Sequence, residues 1–366
     1  IGDAVNRAAA LSSQAKGQTR VDGPTRDAGG RRFQFAEAGV LHLKGQDAAS
    51  HYIVTGEGLA QTAQHGDMVG RAAERAQIDG LVAQIRQGTA PGVVHIIGDA
   101  GLGKSRLAGH LQSCLEATAI PVLRMNADSL RRTTGFYPWR QLVTAVAGAD
   151  LRESDLQELL GADPAVADLL PLLSPVLRSE IADTPTTASL FGGGRAEKTE
   201  TVIVALLERL IPATPQVVIV EDAHWFDSAS WQLLERFARA FPHVTVTIVS
   251  RPLDPDTLPF EARRLLGRAD RLVIQLDPFT RDGSVALINA ALGTVETSPG
   301  IVDLIYAHAE GHPLFTIALA LSLRDRGLLR VEANYAHLGL GDRSLSQIAF
   351  PDGVEGVVAE RIAGLT

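Results

Sequence analysis

The chain is poor in cysteine, lysine and aromatic residues. Of its 366 residues one is cysteine, four are lysine against thirty arginines, and aromatics make up 5%. The single cysteine, Cys114, excludes a disulfide within the chain and fits a reducing compartment; its apolar neighbours on an expected helix read as those of a packed core thiol. Basic charge is not in excess either. The formal net charge of −8 leaves no chain-wide footprint for nucleic acid, and this portion is expected to make no direct nucleic-acid contact. No uninterrupted apolar run approaches the roughly eighteen residues that span a bilayer, and the amino terminus has no signal-peptide pattern. A cytoplasmic chain without a membrane partner is therefore expected. With 45% hydrophobic and 21% charged residues, it is long enough for two or three domains, each with its own core.

Against that background one run of eight residues carries specific chemistry. Gly98-Asp99-Ala100-Gly101-Leu102-Gly103-Lys104-Ser105 follows the apolar run Val93-Val94-His95-Ile96-Ile97. This is G-x-x-x-x-G-K-S behind a strand, the context in which it reads as a phosphate-binding loop. Its glycines allow the backbone N–H groups and the next helix N-terminus to point at a phosphate. Lys104 reaches the terminal phosphates, and Ser105 holds Mg²⁺. Arg106, in the first turn of that helix, joins the expected nucleotide contacts. In a chain with four lysines, an incidental Gly-Lys-Ser is a poor alternative.

Two further apolar runs end in polar residues that such a loop needs. Val217-Val218-Ile219-Val220 runs into Glu221-Asp222, which reads as a Walker B strand. One carboxylate would serve the Mg²⁺ hydration shell and the other would polarise water, with the order left open. Val244-Thr245-Val246-Thr247-Ile248-Val249-Ser250 ends at Arg251-Pro252. Arg251 is either a γ-phosphate sensor at the strand's carboxyl edge or a surface arginine before a terminating proline. The catalytic candidates are thus Lys104, Glu221, Asp222 and Arg251, and the metal candidates Ser105, Glu221 and Asp222.

The order of elements predicts a fold. Strands near residues 92–98, 120–125, 216–221, 243–250 and 271–276 alternate with helical patterns, the signature of a parallel α/β sheet of the P-loop NTPase kind. Several helices without a strand are expected between 136 and 212, where Leu169, Leu170, Leu172, Leu173 and Leu177 form an apolar face. The run Gly192-Gly193-Gly194 reads as a flexible loop before a helix near 195–211. Helices at about 280–292, 299–309 and 313–327 form a helical bundle. Residues 1–55 read as an α+β piece with a helix over 3–15 and short strands around 19–21, 32–36, 41–44 and 51–54. A Gly- and Gln-rich linker follows over 56–67. The chain opens inside recognisable structure and stops without a closing element, so a piece of something longer is expected.

Taken in order, Val69-Gly70-Arg71 with Glu74, the phosphate loop, Phe136-Tyr137-Pro138-Trp139-Arg140, Glu221-Asp222-Ala223-His224-Trp225-Phe226-Asp227, Ser250-Arg251-Pro252 and Gly311-His312-Pro313 resemble the ATPase module of STAND proteins, a branch of the AAA+ ATPases. That resemblance implies an NTPase core over 68–278, a helical lid over 279–330 and the truncated start of a winged-helix segment over 331–366. It also implies that Val69, Gly70 and Arg71 border the adenine, that Arg251 is the sensor arginine and that Pro313 packs onto the base. ATP with Mg²⁺ is the implied cofactor, and the preference for adenine rests on the resemblance alone. Tyr137, Trp139, Trp225 and Phe226 read as core aromatics, His224 as a structural or coupling residue, and His312 as a turn residue.

Residues 1–55 have a resemblance of their own. Gly2-Asp3-Ala4-Val5-Asn6, Leu11, Leu43-Lys44-Gly45 and His51-Tyr52-Ile53-Val54 look like the carboxyl-terminal part of a class III nucleotide cyclase domain. In that family the asparagine matching Asn6 orients the ribose and a lysine matching Lys44 contacts the triphosphate. The transition-state arginine is replaced by Ala10, and the metal-binding aspartates would precede Ile1. No cyclase activity is expected. The combined expectation is a signalling ATPase that switches between MgATP and ADP with slow hydrolysis, associating with itself or with intramolecular sensor domains. An ATPase-regulated cyclase, or a transcription regulator whose DNA-binding part lies beyond this chain, are the alternatives.

Overall fold

A computed structural model of the chain describes residues 3–15, 18–29, 33–41, 49–57, 68–148, 151–177, 180–332 and 334–338. Lys44, nearly all of the expected linker and the expected winged-helix residues from 339 onward lie outside the described residues. The chain divides into two compact units. One comprises Met68–Leu287 with Glu310–Leu314, and the other Ile1–Asp67, Ile288–Ala309 and Phe315–Thr366.

The second of these units opens with α1 (Asp3–Gln14), β1 (Arg20–Asp22), α2 (Gly23–Gly29), β2 (Phe33–Leu41) and β3 (Ala49–Glu57). The strands form an antiparallel sheet in the order β1-β3-β2. Short strands were expected around 32–36 and 41–44; residues 42–44 lie outside the described residues, and the first expectation is met within a longer β2 that runs unbroken from 33 to 41. It absorbs a register shift between Glu37 and Gly39, a bulge that re-aims the strand without ending it. Arg7 on α1 lies 3.8 Å from the Asp22 carboxylate on β1, so its charge is directed at the sheet.

The larger unit is built from α3 (Ala72–Gln87), β4 (Val93–Ile97), α4 (Lys104–Glu116), β5 (Val122–Asn126), β6 (Gln216–Glu221), β7 (Val244–Ser250) and β8 (Leu272–Gln275). All five strands are parallel, in the order β5-β6-β7-β4-β8. Each strand is followed by a helix or a crossover, as parallel pairing requires. The near-continuous apolar runs now have their cause: both faces of the sheet are covered. In β6, Val217 and Ile219 pack with Ile78 and Leu81 of α3 and Leu107 and Leu111 of α4. Val218 and Val220 point the other way, against Trp139, Leu206 and Phe237. Trp139 and Phe237 meet edge to face with ring centres 5.7 Å apart, which makes Trp139 a core residue.

Among the described residues between β5 and β6 there are several helices and no strand, as expected. Leu170–Val176 is a 3₁₀ segment whose leucines are buried against the helix Gly192–Leu210. The triple glycine is not a loop: Gly192, Gly193 and Gly194 make the first turn of that helix. A helix start leaves its first N–H groups unpaired in any case, and Arg195 anchors the turn by donating to Thr187 O at 2.7 Å and to Asp183 at 3.0 Å. Further on, β9 (Glu296–Thr297), β10 (Leu329–Glu332) and β11 (Tyr335–Leu338) form a small sheet in the order β10-β11-β9. The helices Arg281–Leu292, Pro299–Ala309 and Pro313–Asp325 match the three expected there. Among the described residues no helix is long and apolar enough to cross a membrane.

Candidate functional site

The site lies at the carboxyl ends of β6, β7 and β4, which are adjacent in the sheet. Leaving β4, the chain turns through Gly98–Gly103 and enters α4 at Lys104. Gly101 and Gly103 have φ of 79° and 94°, left-handed values that let the loop fold back over the helix start. The loop is tied to its neighbours: Gly98 N–H donates to Ser250 O at 3.4 Å, and Leu276 N–H donates to Ile97 O at 2.8 Å. Asp99, Ala100, Gly101, Ser105 and Arg106 are exposed, whereas Leu102 is buried in the core beneath.

Lys104 is largely buried, and its ammonium donates to Asp99 O at 2.8 Å, closing the loop on itself. Burial pushes its pKa below the usual lysine range. Asp222 opposes that shift, Arg251 adds to it, and Asp99 and Glu221 oppose it. The four catalytic candidates therefore share one electrostatic environment. Ser105 Oγ donates to Glu221 Oε2 at 2.9 Å, joining the first turn of α4 to the end of β6. The other oxygen of Glu221 accepts from Arg124 Nη2 at 2.6 Å, from the neighbouring strand β5. Asp222 adopts a left-handed conformation, φ 52°, and its side chain is exposed. His224 follows in a short 3₁₀ turn, with Nδ1 4.0 Å from Asp222 Oδ1. Both ring nitrogens of His224 are buried without a hydrogen-bond partner. Burial, more than the opposing Asp222, drives its pKa below the ordinary imidazole range, and Arg251 and Lys104 push it further down.

Arg251 is exposed directly after β7, and the residue before it is engaged. Ser250 Oγ donates to Arg251 O at 2.8 Å and lies 2.8 Å from His95 Nε2 on β4. Gly70 and Arg71 precede α3. Arg71 is buried, and both terminal nitrogens of its guanidinium are engaged: with Glu74 at 2.9 Å, Leu102 O at 3.3 Å and Asp277 O at 2.6 Å, while the group lies 4.2 Å over the Phe279 ring. It braces the loop from below. Val69 is half-buried beside it. Pro313 is buried at the start of its helix. Its neighbour His312 is more than a turn residue, since its Nε2 lies 2.8 Å from Ala100 O in the phosphate loop.

An ammonium, a hydroxyl beside a carboxylate, and the N-terminus of a 13-residue helix form a donor set that fits a polyphosphate with a hard, oxygen-seeking cation. The unpaired ring of His224 adds a buried polar group with capacity left for a ligand or water. Sequence reading did not single out Arg124, His95 or Phe279. The first two were visible as charged or polar residues inside apolar strands; Phe279 carried no signal.

The AAA ATPase domain model matches residues 67–249, half of the chain. The chain belongs to that AAA ATPase family. The match spans the phosphate loop, the acidic strand and β7 up to its last residue. Among curated proteins, an uncharacterized protein of Rhizobium meliloti (strain 1021) is 27% identical over 344 residues, covering 86% of this chain and 31% of that protein. The chain thus spans about a third of that relative's length. Among solved structures, the Aeropyrum pernix ORC1 protein in complex with DNA is 17% identical, with a TM-score of 0.45, over 82% of this chain and 67% of that one. The Thermotoga maritima RuvB Holliday junction branch migration motor is 16% identical, with a TM-score of 0.38, over 70% and 62%. The expectation that this AAA ATPase portion makes no direct nucleic-acid contact is withdrawn, because a structure similar to it is a DNA complex. The error was to take net charge, a chain-wide sum, as excluding a local contact. No DNA contact of this chain follows from the likeness.

Proposed function

We propose that this AAA ATPase module is a MgATP/ADP switch of the STAND type, hydrolysing ATP slowly within a larger signalling protein. The observation that carries the reading is the hydrogen bond from Ser105 to Glu221 beside the Lys104 ammonium. It joins the phosphate loop and the acidic strand at the point where β- and γ-phosphates and their metal would lie. Bound Mg²⁺ would supply charge neutralisation for the phosphate oxygens. Ser105 and Glu221, the latter held by Arg124, are the residues to hold that metal. Asp222, exposed and facing His224, takes the water-polarising role. Lys104 reaches the terminal phosphates, loop residues Gly98 to Gly103 cradle them, and Arg251 reads the γ-phosphate.

A switch needs contacts that differ between triphosphate and diphosphate states. The hydrogen bond between His312 and the loop carbonyl of Ala100 supports such coupling, because a phosphate that reorients the loop also acts on the segment leading into the helix Pro313–Asp325. The boundaries that go with this reading are a core over 68–278 and a lid from 279 onward. Residues 1–55 are a cyclase-like fragment without cyclase activity, in keeping with Ala10 in place of the arginine. MgATP should stabilise the unaltered chain against thermal unfolding, and Lys104→Ala should abolish that stabilisation. Asp222→Asn should keep that stabilisation while slowing phosphate release by about a hundredfold, the usual scale for loss of a proton-transfer group. Stabilisation that survives Lys104→Ala would overturn the assignment of the loop.

A further inference from the structure

On the sheet face opposite Trp139, α3 and α4 pack side by side and bring three metal-ligand side chains together. Asp79 comes from α3, and His110 and Cys114 come from α4, four residues apart and hence on one face of the helix. Cys114 Sγ lies 3.7 Å from His110 Nε2 and 4.0 Å from Asp79 Oδ1, and His110 Nε2 lies 4.0 Å from Asp79 Oδ1. The three atoms form a nearly equilateral triangle. The Asp79 side chain is 69% exposed while that of His110 is 21% exposed, so the triangle is open to solvent on one side.

Those edges are close to a coordination polyhedron. Ligand bonds of about 2.0–2.3 Å in a tetrahedron separate ligand atoms by about 3.3–3.6 Å, so closure requires a few tenths of an ångström per edge. Side-chain torsions supply that without moving either helix. The donor set is one sulfur, one imidazole nitrogen and one carboxylate oxygen, which suits zinc. It does not suit Mg²⁺ or Ca²⁺, which take oxygen ligands. We propose that Asp79, His110 and Cys114 bind one Zn²⁺, with water from the open side as the fourth ligand.

The position gives the site a consequence. α4 carries Lys104 and Ser105 in its first turn, and α3 follows directly on Arg71, which holds Leu102 O of the loop. A metal that ties α3 to α4 braces the helix on which the phosphate loop is mounted, independently of nucleotide. Because binding acts on the folded chain, zinc raises its thermal stability in proportion to the logarithm of metal concentration.

Titration of the metal-free chain with Co²⁺, a spectroscopic substitute for zinc, tests this. Cys114 is the only cysteine in the sequence, so any thiolate-to-cobalt charge-transfer band reports this site alone. The expected result is such a band, with the intense visible bands of tetrahedral cobalt, saturating at one equivalent and erased by Zn²⁺. Cys114→Ser should remove the charge-transfer band. His110→Ala and Asp79→Asn, the latter at an exposed position that leaves folding intact, should each weaken cobalt binding by more than about tenfold, since even outer-shell changes cost that much. Absence of a thiolate band would overturn the proposal. A band of unchanged affinity in both His110→Ala and Asp79→Asn would overturn it too, showing a lone-thiol adduct. Cobalt bound at the phosphate loop would be six-coordinate through oxygen and spectroscopically distinct.

Discussion

His95 is the polar residue in the middle of the strand that leads into the phosphate loop, and its environment sets its chemistry. Burial, with Arg271 adding to it, lowers its pKa from 6.5 to about 4, so it is neutral at neutral pH, with its Nε2 hydrogen-bonded to Ser250 Oγ. The unfolded chain then binds more protons than the folded one between those values, and stability is lost as pH falls from about 6.5 towards about 4. From about pH 7 to about pH 4.5 this single residue should withdraw about 2 kcal/mol. Denaturant unfolding of the unaltered chain and of His95→Gln at both pH values should show that much less acid sensitivity in the variant. Equal sensitivity would mean that His95 is solvated. The residues that carry the candidate site were legible in the sequence because each ends an apolar run: Lys104 after the loop, Glu221 and Asp222 after β6, Arg251 after β7. Arg124 was not, because its value comes from a partner 97 positions away on an adjacent strand.

At the level of elements, the parallel strands were legible to within about two residues. Their residues are apolar on both faces, a pattern that only a doubly covered sheet stabilises. Glycines were less legible. The same residue serves as the first turn of a helix at Gly192, a bulge at Gly39 and a close approach at Gly311, and local sequence does not separate these. Gly311 has φ 76°, and a Cβ there would stand 1.9 Å from Phe279 O, while its own carbonyl accepts from Phe279 N at 2.8 Å. Gly311→Ala should therefore destabilise the unit by more than about 2 kcal/mol, the left-handed penalty plus a backbone clash. It should also disturb His312 and the loop carbonyl that it contacts. Thermal unfolding and MgATP-dependent stabilisation measured together would show both losses; a neutral substitution would show that this junction relaxes freely. The Asp79, His110 and Cys114 triangle was likewise beyond the sequence, since Cys114 read as a core thiol until α3 brought a carboxylate beside it.

For the molecule as a whole, membership of the AAA ATPase family rests on the core unit, and the proposed switch requires that core to bind nucleotide and to respond differently to ATP and ADP. The phosphate loop, the acidic strand and Arg251 converge on one end of three adjacent strands, and Arg71, Phe279 and His312 brace the loop from the same unit. The measurement that tests this most directly is calorimetric titration of the chain with MgATP, MgADP and MgGTP, with Lys104→Ala alongside. One nucleotide per chain, adenine preferred over guanine, different affinities for ATP and ADP, and loss of all heat in Lys104→Ala are expected. Equal affinity for ATP and ADP, or binding unaffected by Lys104→Ala, would contradict the switch.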